Sequence, residues 1–434
     1  MKNYFTLFAI LFAFSLKSQT LYFPPTVGNT WDTISPLSLG WCPDKIDTLL
    51  NYLEDRNTKA FIVLKDGKIV IEKYFGTFTQ DSAWYWASAG KTITSFMTGI
   101  AQQENYLSIS DTTSDYLGQG WTNCTTQQEE KITIRHQLAM ISGLDDGVPD
   151  HHCTLDTCLN YLADAGTRWA YHNGPYTLLD EVIENATGQT LNAYTTQKLK
   201  TPTGMTGLFY TSGYNNVFVS KPRSMARFGL LILNNGNWNG NQIMTDATYF
   251  NDMINTSQQL NESYGYLWWL NGKPSYMLPG LQFQFQGSLN PNAPDDMVAA
   301  MGKNGQFLNV VPSQNMVVVR MGNAPLDDEV PFTMNDTIWQ KLNDIMCSTI
   351  SINEFNQRNQ PHVFPNPAEN KITVEIKEES FAVRIFDFTG KEIYSEKNCR
   401  EKVQIDCSAF ANGVYYLQLQ TDKGSTMTKF SVSH

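Results

Sequence analysis

The sequence is poor in positive charge and has no long apolar stretch after its first nineteen residues. Its 434 residues hold 31 Lys and Arg against 42 Asp and Glu, a formal net charge of -11. Residues from Pro361 onward balance to -1, and Lys2 and Lys17 precede residue 20, so the region between carries about -12. Such a surface repels phosphate backbones, which excludes nucleic acid as a partner. No later segment offers roughly eighteen uninterrupted apolar residues, so no integral membrane segment is expected once the leader is removed. Metal-ligand spacing is missing too. His151-His152-Cys153 with Cys158 invites a zinc reading, yet no second ligand pair follows at a regular spacing. Neither a metal nor a cofactor is expected.

What is present begins with a leader at residues 1–19. Lys2 stands at its front, an apolar run extends from Tyr4 to Leu16, and Ser15, Ser18 and Gln19 close it. This is the pattern of a secretory signal peptide, and the run is too short for a membrane anchor. No cysteine near the cleavage point can accept lipid, the first being Cys42. Seven cysteines suit an exported chain that forms disulfides. Cys153 with Cys158 can staple a local loop and Cys399 with Cys407 a hairpin. The odd total leaves at least one thiol unpaired or linked elsewhere.

The length suggests two to three domains. Asp66-Gly67, between Ala60-Phe61-Ile62-Val63-Leu64 and Ile69-Val70-Ile71, predicts a hairpin. A largely helical middle follows from Lys91 to about Phe250. Strands return at Met297–Met301, Phe307–Val311 and Met316–Met321, and a helix from about Asp336 to Met346 closes the region. This order predicts an α+β fold over residues 20–350, an antiparallel sheet flanked by helices with a helical subdomain and a cleft between them. Residues 351–361 turn polar and read as a linker. Residues 362–434 alternate apolar and polar positions, as in Ile372-Thr373-Val374-Glu375-Ile376, and predict a small β-sandwich without chemistry of its own.

Three short motifs carry the chemistry. Ser88 and Lys91, three residues apart, share one helical face and can act as nucleophile and base. The buried helix expected after them places Ser88 at a helix N-terminus, where backbone N–H groups face a developing oxyanion. Tyr171-His172-Asn173 supplies a phenol for proton transfer and an amide to orient a carbonyl. Lys303-Asn304-Gly305-Gln306, between two predicted strands, supplies a cation for an anionic substrate group. Gly305 permits close backbone approach there, and the Gln306 N–H can aim at an oxyanion. Each motif alone has a bland reading as core tyrosine, capping asparagine or solvated lysine. Trp84, Trp86, Trp268 and Trp269 are candidates to line an acyl pocket or to fill the core, and Asp145 and Asp146 to hold a substrate amine or to face solvent.

Together, and in this order, the three motifs resemble the serine β-lactamase and penicillin-binding-protein superfamily over roughly residues 40 to 345. Ser142-Gly143-Leu144, Ala226-Arg227-Phe228-Gly229-Leu230-Leu231 and Tyr264-Gly265-Tyr266-Leu267-Trp268-Trp269 are similar to its class C-like branch. That branch holds esterases, D-amino-acid peptidases and hydrolases of 6-aminohexanoate oligomers, the last most similar through the Trp86 context and Ser142-Gly143-Leu144-Asp145. His172 is bulkier than the residue usual between the Tyr and the Asn, and Lys303-Asn304-Gly305 departs from the Lys-Thr-Gly of true β-lactamases. Antibiotic hydrolysis is therefore disfavoured. Val363-Phe364-Pro365-Asn366-Pro367-Ala368 and Gly413-Val414-Tyr415-Tyr416-Leu417 resemble the C-terminal sorting domain of type IX secretion, which implies secretion machinery as a partner and a destination outside the cell or on its surface.

The resemblance implies a transpeptidase-like fold and acyl transfer to Ser88 from a small-molecule or short-peptide ester or amide. Lys91 has to be neutral, or to share its proton with Tyr171, when the serine attacks. For a lysine that ordinarily titrates near 10.4, neutrality near pH 7 requires a displacement of roughly 4 kcal/mol. Burial and the second cation at Lys303 are the expected sources. A non-catalytic peptidoglycan-binding protein and a transpeptidase of the same fold are the alternatives.

Overall fold

The computed structural model describes residues 21–324, 330–347, 361–376, 380–387, 390–421 and 424–434. The leader and all of the expected linker except Pro361 lie outside the described residues. Along the chain run α1 (Ile46–Asp55), β1 (Thr58–Lys65), β2 (Lys68–Tyr74), β3 (Trp84–Tyr85), α2 (Lys91–Gln103), α3 (Asn173–Thr187), β4 (Leu208–Ser212), β5 (Asn215–Ser220), α4 (Pro222–Leu233), β6 (Trp269–Leu270), β7 (Val298–Gly302), β8 (Gln306–Val311), β9 (Met316–Gly322) and α5 (Phe332–Met346), with shorter helices and turns between them.

Six strands make one antiparallel sheet in the order β2-β1-β9-β8-β7-β6. The β1–β2 hairpin turns at Asp66 and Gly67, whose φ values of 52° and 81° match the turn that suits twisted antiparallel strands. Gly67 is required there, because a Cβ would stand 1.9 Å from the Tyr22 carbonyl oxygen. Val317, Val318 and Val319 on β9 are all at most 1% exposed. Successive residues point to opposite faces, so both faces of this strand are covered. Helix α4 packs on β1, β8 and β9, and α1 packs on β1 and on α5. Each such side chain contributes about 1.5–3 kcal/mol by leaving water.

The returning strands fall within a residue of their expected bounds, and α5 begins four residues earlier than expected, directly after Pro331. The middle region departs further from expectation. It is not wholly helical, since β4 and β5 form a hairpin that pairs with β3, Trp84 opposite Ser220. Their aromatic and β-branched residues around the Gly213 turn (φ 59°) are the local reason.

Cys153 and Cys158 are bonded, and a second bridge joins Cys42, ahead of α1, to Cys347, just past α5. The expected Cys399–Cys407 staple is absent and both thiols are buried and free. The reason is topological. In the C-terminal region, strands β10 (His362–Phe364), β11 (Lys371–Glu375), β12 (Phe381–Phe386), β13 (Glu392–Cys399), β14 (Lys402–Asp406), β15 (Gly413–Thr421) and β16 (Gly424–Val432) form two sheets, β10-β11-β14 and β13-β12-β15-β16. The chain between Cys399 and Cys407 therefore crosses from one sheet to the other instead of folding back as a hairpin. Ile372, Val374, Val383, Ile385, Leu417 and Leu419 fill the core that the two sheets share.

Candidate active site

The site starts from an anchored tryptophan. Trp86 donates its backbone N–H to the Phe218 carbonyl at 2.8 Å and its indole N–H to Ser220 Oγ at 2.8 Å, so strand β5 fixes the chain here. Ala87 next adopts φ 48°, a left-handed conformation that costs a non-glycine residue about 1–2 kcal/mol. This reversal opens a 3-10 turn, Ala87–Gly90, which runs on into α2. Ser88 lies in that turn, half-buried, and Lys91 is the first residue of the helix.

Lys91 is only 3% exposed, and its Nζ lies 2.9 Å from Ser88 Oγ. The same Nζ stands 5.0 Å from the centre of the Tyr171 ring and 4.0 Å from that of Tyr176. Tyr176 is a site residue that the sequence reading missed. Its spacing of three from Asn173, on the same helical face, was the available signal. Desolvation pushes its hydroxyl far above the ordinary tyrosine range, so it faces Lys91 as a neutral ring. Tyr171 is held from behind by Trp269, stacked at 5.7 Å, and by the edge of Tyr264 at 6.1 Å.

Asn173 is the first residue of α3 and is 5% exposed. Its side-chain carbonyl has no hydrogen-bond partner among the described residues. Over this helix end lies the segment stapled by Cys153 and Cys158, with the Gly174 N–H donating to the His151 carbonyl at 2.9 Å. His152 in that segment sits 2.9 Å from Asn215 Oδ1 through its Nδ1. Burial, then His151, hold its imidazole below the ordinary range, and Lys91 acts in the same direction. His172 is buried with neither ring nitrogen bonded among the described residues, and desolvation pushes it down to about 4.

Lys303, Asn304 and Gly305 form the turn between β7 and β8, with Asn304 at φ 62° and Gly305 at φ 75°. Arg320, fully buried on β9, donates to the carbonyls of both Asn304 and Gly305, at 2.6 and 2.8 Å, and to those of Arg56 and Asn323. Burial pushes its guanidinium down to about 9. Lys303 is exposed. Gly302 is the residue that reaches Ser88: a Cβ on it would lie 3.0 Å from Ser88 N and 2.5 Å from the Trp86 carbonyl oxygen. Gln306 lies opposite Gly302 on β8, and its side chain is bonded to both backbone groups of Gly322. The backbone beside Ser88 N is thus the end of β7 rather than Gln306.

Of the two readings of the four tryptophans, core holds for three: Trp86 and Trp268 are 0% exposed and Trp269 2%, and Trp269 backs Tyr171. Trp84 remains half-buried. Asp146 is paired with Arg168 at 2.6 Å. Among the described residues no group of three or more His, Cys, Asp and Glu could hold a metal ion, and no helix is long and apolar enough to cross a membrane.

Comparison with known proteins agrees with this geometry. Residues 362–433 match the secretion system C-terminal sorting domain, and the protein is secreted or held at the cell surface. An uncharacterized protein of Alkalihalophilus pseudofirmus is 24% identical over 310 residues, 63% of this chain and 85% of its own. Among solved structures, a candidate 6-aminohexanoate-dimer hydrolase from Bacillus anthracis superposes with a TM-score of 0.56 at 19% identity, over 74% of this chain and 89% of its own. A family VIII carboxylesterase does so with a TM-score of 0.52 at 13% identity, over 72% and 98%. At these identities the two structures share the fold. Residues 47–343 match the β-lactamase family itself. With that match spanning most of the chain, and with a transpeptidase-like sheet beside the helix that begins at Lys91, the chain belongs to the β-lactamase family.

Proposed function

We propose that the protein is an extracellular serine hydrolase that cleaves an ester or amide of a small molecule or short peptide through an acyl-enzyme on Ser88. The observation that carries this reading is the 2.9 Å contact between Lys91 Nζ and the half-exposed Ser88 Oγ at the head of α2. As Oγ attacks the carbonyl carbon, its proton passes to a neutral Lys91. The oxyanion that forms is faced by the Ser88 N–H and by the peptide that follows Gly302, the backbone packed against Ser88 N. The tetrahedral species then collapses, the carbonyl bond to the leaving group breaks, and the proton held by Lys91 reaches that group by way of the Tyr171 hydroxyl. Water next attacks the acyl-enzyme and gives its proton to the same pair, the bond from the carbonyl carbon to Ser88 Oγ breaks, Oγ takes that proton back and the acid leaves. Asn173 offers to the substrate its side-chain carbonyl, which has no partner among the described residues, and the Lys303 cation at the Gly305 turn attracts an anionic substituent.

This reading includes removal of residues 1–19 as a leader and residues 362–434 as the region read for export, with the hydrolase between them. The test is labelling of the leaderless protein with a fluorophosphonate probe, read by intact mass. One adduct is expected on the wild type and none on Ser88→Ala. Labelling retained in the variant refutes Ser88 as nucleophile. Hydrolysis of p-nitrophenyl esters, nitrocefin, D-Ala peptides and aminohexanoate dimers then identifies the substrate.

A further inference from the structure

Asp180 is a buried acid that the reaction above leaves unused. It lies on α3 seven residues past Asn173 and four past Tyr176, on the helix face that meets Lys91. The carboxyl is 7% exposed. Thr94 Oγ1 donates to its Oδ1 at 2.8 Å, and Asn216 Nδ2 donates to its Oδ2 at 3.0 Å. Thr94 is three residues past Lys91 on α2, and Asn216 follows Asn215, the partner of His152, on β5. One carboxyl thus joins the helix of Ser88 and Lys91, the helix begun by Asn173 and the strand that anchors Trp86.

Its surroundings leave few charges to answer it. Lys91 acts on it from α2 and Glu184 from its own helix, while Tyr171, Tyr176 and His152 are the other titratable groups near the lysine. The short helices Ser114–Leu117, Ile134–Leu138 and Leu191–Thr195 also pack on α3. Their ionisable side chains are engaged with other partners: Asp115 with the Thr112 N–H, Tyr116 with Asp111, Arg135 with Tyr266 and Ser257, His136 with Thr133, and Tyr194 with Glu104. Among the described residues, Lys91 is therefore the cation that acts on the Asp180 carboxyl.

We propose that Asp180 is a positioning residue for the Ser88–Lys91 pair, aligning α2, α3 and β5 through Thr94 and Asn216 and opposing, by its negative charge, the loss of the Lys91 proton. This inference rests on the hydrolase reading of Ser88 and Lys91. A carboxylate near an ammonium favours the charged lysine, and the neutral acid does not. Burial pushes the Asp180 carboxyl up to about 7, so its charge changes near neutrality, where it bears on whether Lys91 is ready to accept a proton.

The experiment compares pH profiles of Ser88 labelling by the fluorophosphonate probe in the wild type, Asp180→Asn and Thr94→Val. Asp180→Asn keeps the shape and removes the charge. Its acid limb is expected to move down by about one pH unit. Thr94→Val withdraws a hydrogen bond from the carboxylate, and a smaller shift in the same direction is expected. An infrared difference titration should show a protonated carboxyl band that fades with rising pH in the wild type and is missing from Asp180→Asn. Superimposable limbs in folded variants overturn the role of Asp180, as does a limb that moves up. Absence of labelling in the wild type instead overturns the hydrolase reading, so the two failures are distinct.

Discussion

Asp180→Asn should also change how stability depends on pH, and the size of the effect follows from where the carboxyl sits. Burial raises its titration from 3.8 to about 7, with the bonds from Thr94 and Asn216 and the Lys91 charge opposing the rise. The folded chain therefore holds this proton more tightly than the unfolded chain does. Its contribution to stability is fully present below about pH 4 and is lost as pH rises through about 7. Each unit of difference corresponds to about 1.4 kcal/mol, so the whole penalty reaches about 4 kcal/mol. Asparagine has no proton to lose. Its stability relative to the wild type should therefore increase by up to that amount between pH 4 and pH 8. With about 1–2 °C for each kcal/mol in a domain of this size, the gap between the two melting temperatures should widen by roughly 4–8 °C across that interval. Circular dichroism melts at unit steps of pH measure it, and titrating groups not coupled to Asp180 cancel in the comparison. A gap that stays constant with pH, or one that narrows, refutes the reasoning.

The two disulfides should behave differently. Cys42–Cys347 spans 305 residues and Cys153–Cys158 only 5, which by loop-closure entropy gives about 6 against about 2 kcal/mol. Cys42→Ser with Cys347→Ser should lower the melting temperature steeply and leave labelling at 25 °C unchanged. Cys153→Ser with Cys158→Ser should lower it only about a third as much while slowing labelling through the segment over Asn173, and equal effects on both readouts would contradict the assignment. Arg320→Met leaves the carbonyls of Arg56, Asn304, Gly305 and Asn323 without their donor. A loss of at least about 3 kcal/mol is expected, together with slower labelling as the Lys303 turn loosens, and a melt unchanged from the wild type would show that the turn holds without it.

The sequence revealed those parts of the molecule whose cause is local. Valines in a row and an Asp-Gly turn predict β1, β2 and β9, because strand preference and turn geometry act within a few residues. Ser88 and Lys91 are legible for the same reason, since one helical turn brings them together. Asp180 is not legible, and Tyr176 only through its spacing from Asn173, although both sit on a helix that the apolar pattern predicts. Their roles depend on α3 lying against α2, some eighty residues away in the chain, in one rotational setting. Trp86 and Trp268 could not be told from pocket residues by composition, because the same ring serves a cleft or a core equally well. The Cys42–Cys347 bond closes the two ends of the domain, a pairing that spacing cannot specify.

Several features that build this site work against stability, and they converge on a few residues. Ala87 holds a left-handed backbone, Lys91 and Asp180 take opposite charges out of water, and Arg320 buries a third whose partners among the described residues are neutral. A core assembled for stability alone would place apolar side chains at the positions of Lys91 and Asp180, since replacing buried ions by well-packed hydrophobic groups is often neutral or favourable. Arg320, in contrast, also serves four backbone carbonyls that would be left without it. What offsets them is the sheet beside them, where β1, β8 and β9 bury nearly every side chain on both faces. The placement follows a physical logic. A lysine can serve as a base near neutrality only where water does not stabilise its charge, and a turn such as Lys303–Gly305 stays in one conformation only if its carbonyls are held from inside. The destabilising groups are thus the ones that fix the position and the protonation of Ser88 and Lys91, and the Asp180→Asn melts read one of them directly: stability gained at pH 8, with an acid limb displaced to lower pH, from the loss of a single charge.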